Sequence, residues 1–596
     1  MTSHASMNRI YRLVFNAGSR GFSGGLMHPA HVAATAVLAF GFLSNTSAQS
    51  MPPKWGAHVD FEAKPGSKRS LAESDFFLPI KQTERTLFFG NLRGRFDNQN
   101  SREGNLGLGV RHMQEGGWNI GGYGYLDRRK TGNGNFFNQA TLGGEALGRD
   151  WDFRANAYLP YGQRVRDAGT ASTASLSGTT VLVSSVTTQE RALRGFDAEV
   201  GWRVPLFDVE SPRQLRLYIG GYRFSDVTTR LSGPRLRAEF TVADLPQLWR
   251  GAQLVVNAEV QDDNIRGRQT FVALRLRVPL GGEKERPRLN WQEQRMTTPV
   301  LRDVDIVAPL VARAPVIETA TATANGQPLT ILSSSTTTGA ALPAAVAAAG
   351  ANSTVVLTGT YATTATVALQ PGQTLAGTSP IVVRTPSGAT ATLTGPGAVI
   401  NGSFNTTTGV VRLDSNSTLS GMTVNSDGGG GSSSIAVRAF GNGARILNNT
   451  ITASVPGSGA GASVSGILIF SGPTNVVVSN NTIGVTSTNA GNIKGINASL
   501  GGFGTVTLSG NTITLTGTGN IKQGIEVAGG VPGGTIATIT GNTISVTGAG
   551  GPNQAVLVVN SAITAGSSGN VRVAGSCAFS AGTSGSIGFA DGTSCP

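Results

Sequence analysis

Few side chains in the C-terminal half of this chain can do chemistry, and they are scattered. The candidate acids are Asp414, Asp427 and Glu526, and the candidate bases are Arg412, Arg438, Arg445 and Lys494. Grouped carboxylates, alone or around calcium, cleave glycosidic bonds, so polysaccharide chemistry is the reaction these residue types permit. Arg412, Asp414, Arg438 and Arg445 lie close enough in sequence for some to meet on one face. A solvated ion pair explains such a group more simply than a catalytic centre does. No histidine occurs from residue 331 onward, which removes the commonest general base and metal ligand. The glycine run from Gly428 to Gly431 lacks the Lys-Ser/Thr pair of a phosphate loop and reads as a turn. The expectation is no catalytic residue, no metal, no cofactor and no enzymatic activity. A carbohydrate-active enzyme is the alternative.

What must position these residues is a repeat. Asn-Thr-Ile recurs at Asn449, Asn481, Asn511 and Asn542, with a distant copy in which Met422 takes the Asn place. A second register, carried by Ile435, Ile467, Ile496, Ile525 and Val556, recurs at nearly the same interval. Two registers at about 30 residues imply one coil per period, with Val and Ile stacked inside and the four asparagines stacked as an amide ladder. The expected domain is a parallel β-helix over residues 350–575. Cys577 and Cys595 would then close a C-terminal cap over 576–596, as one disulfide in an exported protein.

The first half differs. It holds all six tryptophans, and residues 1–330 hold 40 of the 47 basic residues and 30 of the 34 acidic ones. The basic residues do not cluster; they alternate with apolar residues and mix with acids, which argues against nucleic acid despite the net charge of +13. Residues 32–43 are a short apolar stretch between upstream arginines and Thr46-Ser47-Ala48, the pattern of a signal peptide over 1–48. Twelve runs of alternating residues follow, beginning near Trp55, Leu71, Leu87, Asn105, Trp118, Phe136, Trp151, Gly195, Leu215, Arg235, Gln253 and Thr270. Val272, Leu274 and Leu276 share one face while Ala273, Arg275 and Arg277 share the other; Glu259 and the set Arg235, Arg237 and Glu239 likewise oppose apolar neighbours. Runs of about ten residues with one apolar and one charged face fit strands crossing a bilayer, which must close into a barrel. Trp118, Tyr123 and Tyr125 are expected in an interfacial aromatic girdle, and residues 163–192 as a mobile loop.

Several segments carry a resemblance. GNLGLGVRHMQEGGWNIGGYGYLD (Gly104 to Asp127), GFDAEVGWRVPLF (Gly195 to Phe207), RLYIGGYRF (Arg216 to Phe224), GPRLRAEF (Gly233 to Phe240) and RMTTPVLRDVDIV (Arg295 to Val307) resemble the β-barrel of the inverse autotransporters, the intimin/invasin family. MNRIYRLVFN (Met7 to Asn16) is similar to the extended signal peptide of type V secretion proteins, and Thr354 to Gly377 resembles the opening coil of right-handed, pectate-lyase-like β-helices. The resemblance implies a twelve-stranded barrel over 49–285, whose charged inner face (Arg275, Arg277, Glu259, Arg235, Arg237, Glu239) lines a lumen threaded by a linker over 286–349. About six residues separate Ala48 from Trp55, too few for the peptidoglycan-binding module such proteins often carry there.

The sequence therefore predicts an all-β chain, a twelve-stranded transmembrane barrel followed by a right-handed parallel β-helix. It is expected in the outer membrane, displaying its own C-terminal passenger at the cell surface for adhesion. Expected partners are outer-membrane lipid, the barrel-assembly machinery, periplasmic chaperones and an extracellular protein or glycan. A transport pore is the third alternative.

Overall fold

The computed structural model describes residues 54–595 except 244, 246–247, 249–250, 281–288, 304, 432, 456–462, 471, 489–490 and 502. The signal-peptide segment 1–48 lies outside the described residues. Among them, twelve strands close into an antiparallel barrel. In chain order these are β1 (His58–Lys64), β2 (Leu71–Gln82), β3 (Thr86–Asp97), β4 (Arg102–Met113), β5 (Asn119–Lys130), β6 (Phe136–Leu147) and β7 (Trp151–Tyr161). The hairpin β8 (Val165–Ser177) and β9 (Thr180–Arg191) stands outside the ring, and β10 (Arg194–Val204), β11 (Arg213–Ser225), β12 (Arg230–Ala243), β13 (Gln253–Gln261) and β14 (Gln269–Pro279) complete it. Closure is between β1 and β14, with Val59 opposite Val278 and Phe61 opposite Leu276.

Burial is inverted relative to a water-soluble sheet. Phe61, Leu108, Leu142, Ile219, Leu236, Val272 and Leu274 face outward and are exposed, while Asp60, Arg93, Glu145, Arg154, Asp197 and Arg277 are buried inside. Alternation with period two gives each strand one face for lipid and one for the lumen, and closure leaves no unpaired edge in the hydrocarbon. Among the described residues no helix is long and apolar enough to cross a membrane.

Two expectations about this half are corrected. Tyr123 and Tyr125 are not in a girdle but buried in the lumen, donating to the side-chain oxygens of Asn156 and Asn91. Their register partners across the sheet are Gly143 and Gly107, where an added Cβ would lie 2.2 Å from the tyrosine rings. Glycine on the inner face of one strand makes the space that tyrosine on the next one fills. Residues 163–192 are not a mobile loop but the hairpin β8–β9, turning at Gly178 with φ 61°.

The second half is a parallel β-helix. Its long strand Thr354–Thr363 bends across a corner, pairing with Thr374–Ala376 through its first half and Ala398–Gly402 through its second. A third sheet runs from Val367–Ala368 to Ser576–Phe579. The core begins before residue 350, because Leu329–Ser333 already pairs in parallel with Thr354–Thr363 and the helix Leu342–Ala348 buries Leu342 and Val346 against it. Ile451, Ile483, Ile513 and Ile544 stack in register along one sheet. In the other register the partner of Ile467 is Val437 rather than Ile435, which sits opposite Ser465. Gly466, Gly495 and Gly524 face these isoleucines so closely that an added Cβ would come within about 2.5 Å of Cγ2 of Ile483, Ile513 and Ile544. At the far end Ile587, Phe589 and Cys595 close the core, and Cys577 is disulfide-bonded to Cys595.

Candidate functional site

The charged residues read from the sequence as lumenal point inward, and nearly all are paired. Arg277 meets Asp60 at 2.8 Å and Arg275 meets Glu62 at 2.5 Å. Arg237 bridges Glu199 and Glu239 at 3.0 and 2.5 Å, Arg235 reaches Asp197 at 3.1 Å, and Lys64 holds Glu259 at 2.6 Å. Ion pairs this removed from water must be satisfied by neighbours, because losing one partner strands a charge.

Through this ring of charge runs the linker. It starts beside the barrel end that carries the start of β1 and the finish of β14: Trp55 donates Nε1–H to the Glu293 carbonyl, and Asn119 donates to that of Gln292. The short helix α1 (Trp291–Arg295) begins in a capping box formed by Asn290 and Glu293. Beyond it the chain is gripped by side chains from all round the barrel. Arg111 donates to the Met296 carbonyl, Arg277 to that of Thr297, Arg93 to that of Val300 and Asn156 to that of Leu301. The linker's own charges complete lumenal pairs: Arg295 with Asp152 at 2.5 Å, Arg302 with Asp127 at 2.9 Å, and Asp305 with Arg69 and Arg129 at 2.6 and 2.9 Å. Arg302 also lies over the Tyr125 ring, 4.0 Å from its centroid. Two of the spaces left in the lumen measure about 50 and 90 Å³, room for a few water molecules each. Lumen threading ends near Ala308. The next residues pair outside, at the opposite end, where Arg191 and Leu193 donate to the carbonyls of Pro309 and Val307.

In the β-helix the four predicted asparagines form a continuous chain of amides. Asn449 Nδ2 donates to Asn481 Oδ1, Asn481 to Asn511 and Asn511 to Asn542, each at 2.9 Å. Each Oδ1 also accepts the backbone N–H of the asparagine in the coil before it, and Met422 donates its N–H to Asn449 in the same way. The chain has a fifth member, Asn570, which accepts from Asn542. Its signal was present as Gly569-Asn570-Val571, without the Thr-Ile that marks the others. Each turn needs a residue with positive φ just before the ladder position, supplied by Asn448, Asn480, Gly510, Gly541 and Gly569.

The passenger's candidate acids and bases are not gathered in one place. Glu526 is paired to Lys494 of the coil below. Asp414 accepts the N–H of Ser415, and Asp427 caps a short turn through Gly429 N–H. Arg412 and Arg438 are register neighbours on one sheet, whereas Arg445 lies on another beside Thr418. Burial and the positive Arg412 both push the Arg438 pKa down. Arg438 lies near the exposed rings of Phe440 and Phe470, 5.8 and 5.5 Å from their centroids. Among the described residues no three His, Cys, Asp or Glu side chains are grouped to hold a metal.

Lys522 was missed. It takes the place of Ile493 and Val464 in the core stack, fully buried, with its ammonium donating to the carbonyls of Gly519, Ala549 and Gly551 at 2.9, 2.9 and 3.0 Å. Burial pulls its pKa below the usual lysine value. The sequence signal is a lone lysine in phase with apolar core positions. Lys522→Met fills similar space but leaves three carbonyls without their donor. It is expected to cost about 3 kcal/mol, read as a lowered unfolding midpoint of the passenger.

The sequence profile described as "Inverse autotransporter, beta-domain" matches residues 39–227. No curated protein matches the chain. Among solved structures, a membrane protein from a study of in-meso crystallization is 14% identical with a TM-score of 0.31, covering 43% of this chain and all of that one. Omp33 of Acinetobacter baumannii is 7% identical (TM-score 0.22, covering 38% of this chain and 98% of that one). The β-domain of the Bordetella autotransporter BrkA is 14% identical (TM-score 0.20, covering 38% and 98%). The barrel half of this chain is therefore similar over residues 39–227 to the β-domain of the inverse autotransporters, an outer-membrane barrel, and a parallel β-helix follows it.

Proposed function

We propose that the barrel anchors the chain and displays the β-helix at the cell surface for adhesion to cells, matrix or other surfaces. The observation that carries this reading is the direction of the linker. It enters the lumen at the end holding both barrel termini and leaves at the other. An even-stranded outer-membrane barrel has its termini in the periplasm and its longer loops outside, and the longest excursion here, β8–β9, stands at the exit. A lumen filled this tightly favours an anchor over a transport pore.

The β-helix supports binding more than catalysis. It offers long regular faces, and Phe440, Phe470 and Phe503 are exposed along consecutive coils, the kind of apolar surface that contacts a partner. The carbohydrate-enzyme alternative gains less, since Glu526 is tied to Lys494 and the other acids serve local turns. Proteolysis of intact cells carrying tags after Gly430 and near Lys54 tests the display. Loss of the Gly430 tag with survival of a barrel-sized fragment is the expected result. Protection of both tags until the outer membrane is opened would place the passenger in the periplasm and defeat the reading.

A further inference from the structure

The exit of the barrel carries a device that display alone does not require. β9 is the centre of a small sheet: β8 lies on one edge, and along the other run β15 (Leu310–Ala312) and β16 (Val316–Ala320), the first strands outside the lumen. The pairing is antiparallel, from Leu193 opposite Val307 down to Val181 opposite Ala320, with a one-residue shift of register between Ala312 and Val316. The hairpin also has an apolar face. Val181 and Val183, with Ala174 and Leu176 of β8, pack against Ile331, Val356, Val383, Ala391 and Leu393. Ile331 and Val356 belong to the first two strands of the β-helix but lie outside its main core, on the surface that the hairpin covers. Glu318 of β16 further accepts from Thr385 and Ser387.

We infer that the β8–β9 hairpin is a folding template for the passenger: a β edge and apolar platform, built by the barrel, on which the first coil forms. The physical need is specific. In a stacked array each coil owes much of its stability to the neighbour beneath it, so the first coil, with none, is the costly one to nucleate. The hairpin continues directly from β7 and into β10, and it is closed at its base by the hydrogen bond from Ala192 N–H to the Arg164 carbonyl. It therefore forms with the barrel, before any coil exists. Chain leaving the lumen meets its edge at once and adds a strand, the same geometry by which extended peptides join an exposed sheet. Placing Ile331 and Val356 on the platform then orders the first two strands, and each later coil finds a finished neighbour.

The test follows the full-length protein in cells. Newly made chains are pulse-labelled, and the rate at which the surface-exposed passenger becomes resistant to protease is measured. Val181→Asp with Val183→Asp should slow that rate by roughly tenfold or more, as expected for a change in a folding nucleus, while barrel assembly and surface level stay unchanged. Thr173→Asp with Ser175→Asp, on exposed positions of the same hairpin, should fold at the wild-type rate. If charge at 181 and 183 prevents barrel assembly, Val181→Thr with Val183→Thr keeps the shape and should still slow folding. The inference is overturned if the passenger gains resistance at the wild-type rate in either valine variant. It is equally overturned if the only change is a new cleavage between barrel and first coil, since that would make the hairpin a mere clasp.

Discussion

Asn481→Ala is expected to split the passenger's cooperative unfolding. Asn481 Oδ1 accepts both the backbone N–H and the Nδ2 of Asn449, and its own Nδ2 donates to the Ile446 and Ser479 carbonyls and to Asn511. Alanine removes all of these at a buried corner where no water replaces them. Each stranded polar group costs about 1–3 kcal/mol, so a total of about 3–5 kcal/mol is expected after relaxation. Coils on either side then lose their coupling, because stability in such an array passes only between neighbours. Denaturant unfolding followed by circular dichroism should show a lowered first midpoint, and limited proteolysis should open a site near residue 481. Thr482→Ala, exposed beside it, should change stability by no more than about 0.5 kcal/mol. A wild-type curve for Asn481→Ala would mean that the isoleucine stacks alone hold the coils.

The second large effect concerns the plug. Asp305 is the shared partner of Arg69 and Arg129, with side chains of all three mostly buried. Asp305→Ala leaves two guanidinium groups without that carboxylate in a confined lumen, and breaking a buried pair in this way costs about 3–5 kcal/mol. The linker should therefore leave its seat far more often near the exit, while the barrel itself persists. Purified wild-type protein in a planar bilayer should stay nearly silent, and Asp305→Ala should show frequent bursts of ionic current. Current from the variant no greater than from wild type would show that the backbone contacts at Met296, Val300 and Leu301 suffice to hold the linker.

Much of this was legible in the residues, for physical reasons that also explain the failures. The barrel strands announced themselves because lipid on one side and paired charge on the other force a strict period of two; the run predicted near Trp151 is β7, and the one near Gln253 is β13. β8 and β9 lie beyond the membrane, so neither face needs a continuous apolar stripe, and their Ser/Thr alternation reads as loop. Tyr123 and Tyr125 were misplaced because their inward position depends on glycines of neighbouring strands, which one strand's pattern cannot reveal. The asparagine spacing showed the ladder because a two-residue turn allows no insertion, whereas the other corners vary in length and shifted the apparent partner of Ile467 by two residues. The seating of the linker was visible only through a family resemblance. Arg302 and Asp305 are ordinary charges until the barrel supplies Asp127, Arg69 and Arg129.

The asparagine turns have a consequence for how this protein can change over generations. Every ladder turn presents the same lower and upper surface, so a duplicated stretch of about 30 residues can slot between two existing coils without disturbing either. Neighbouring strands are spaced about 4.8 Å apart, and each such duplication would lengthen the reach of the tip by that step. Barrel, hairpin and terminal cap would stay as they are, and selection could tune how far the passenger extends beyond the surface one coil at a time.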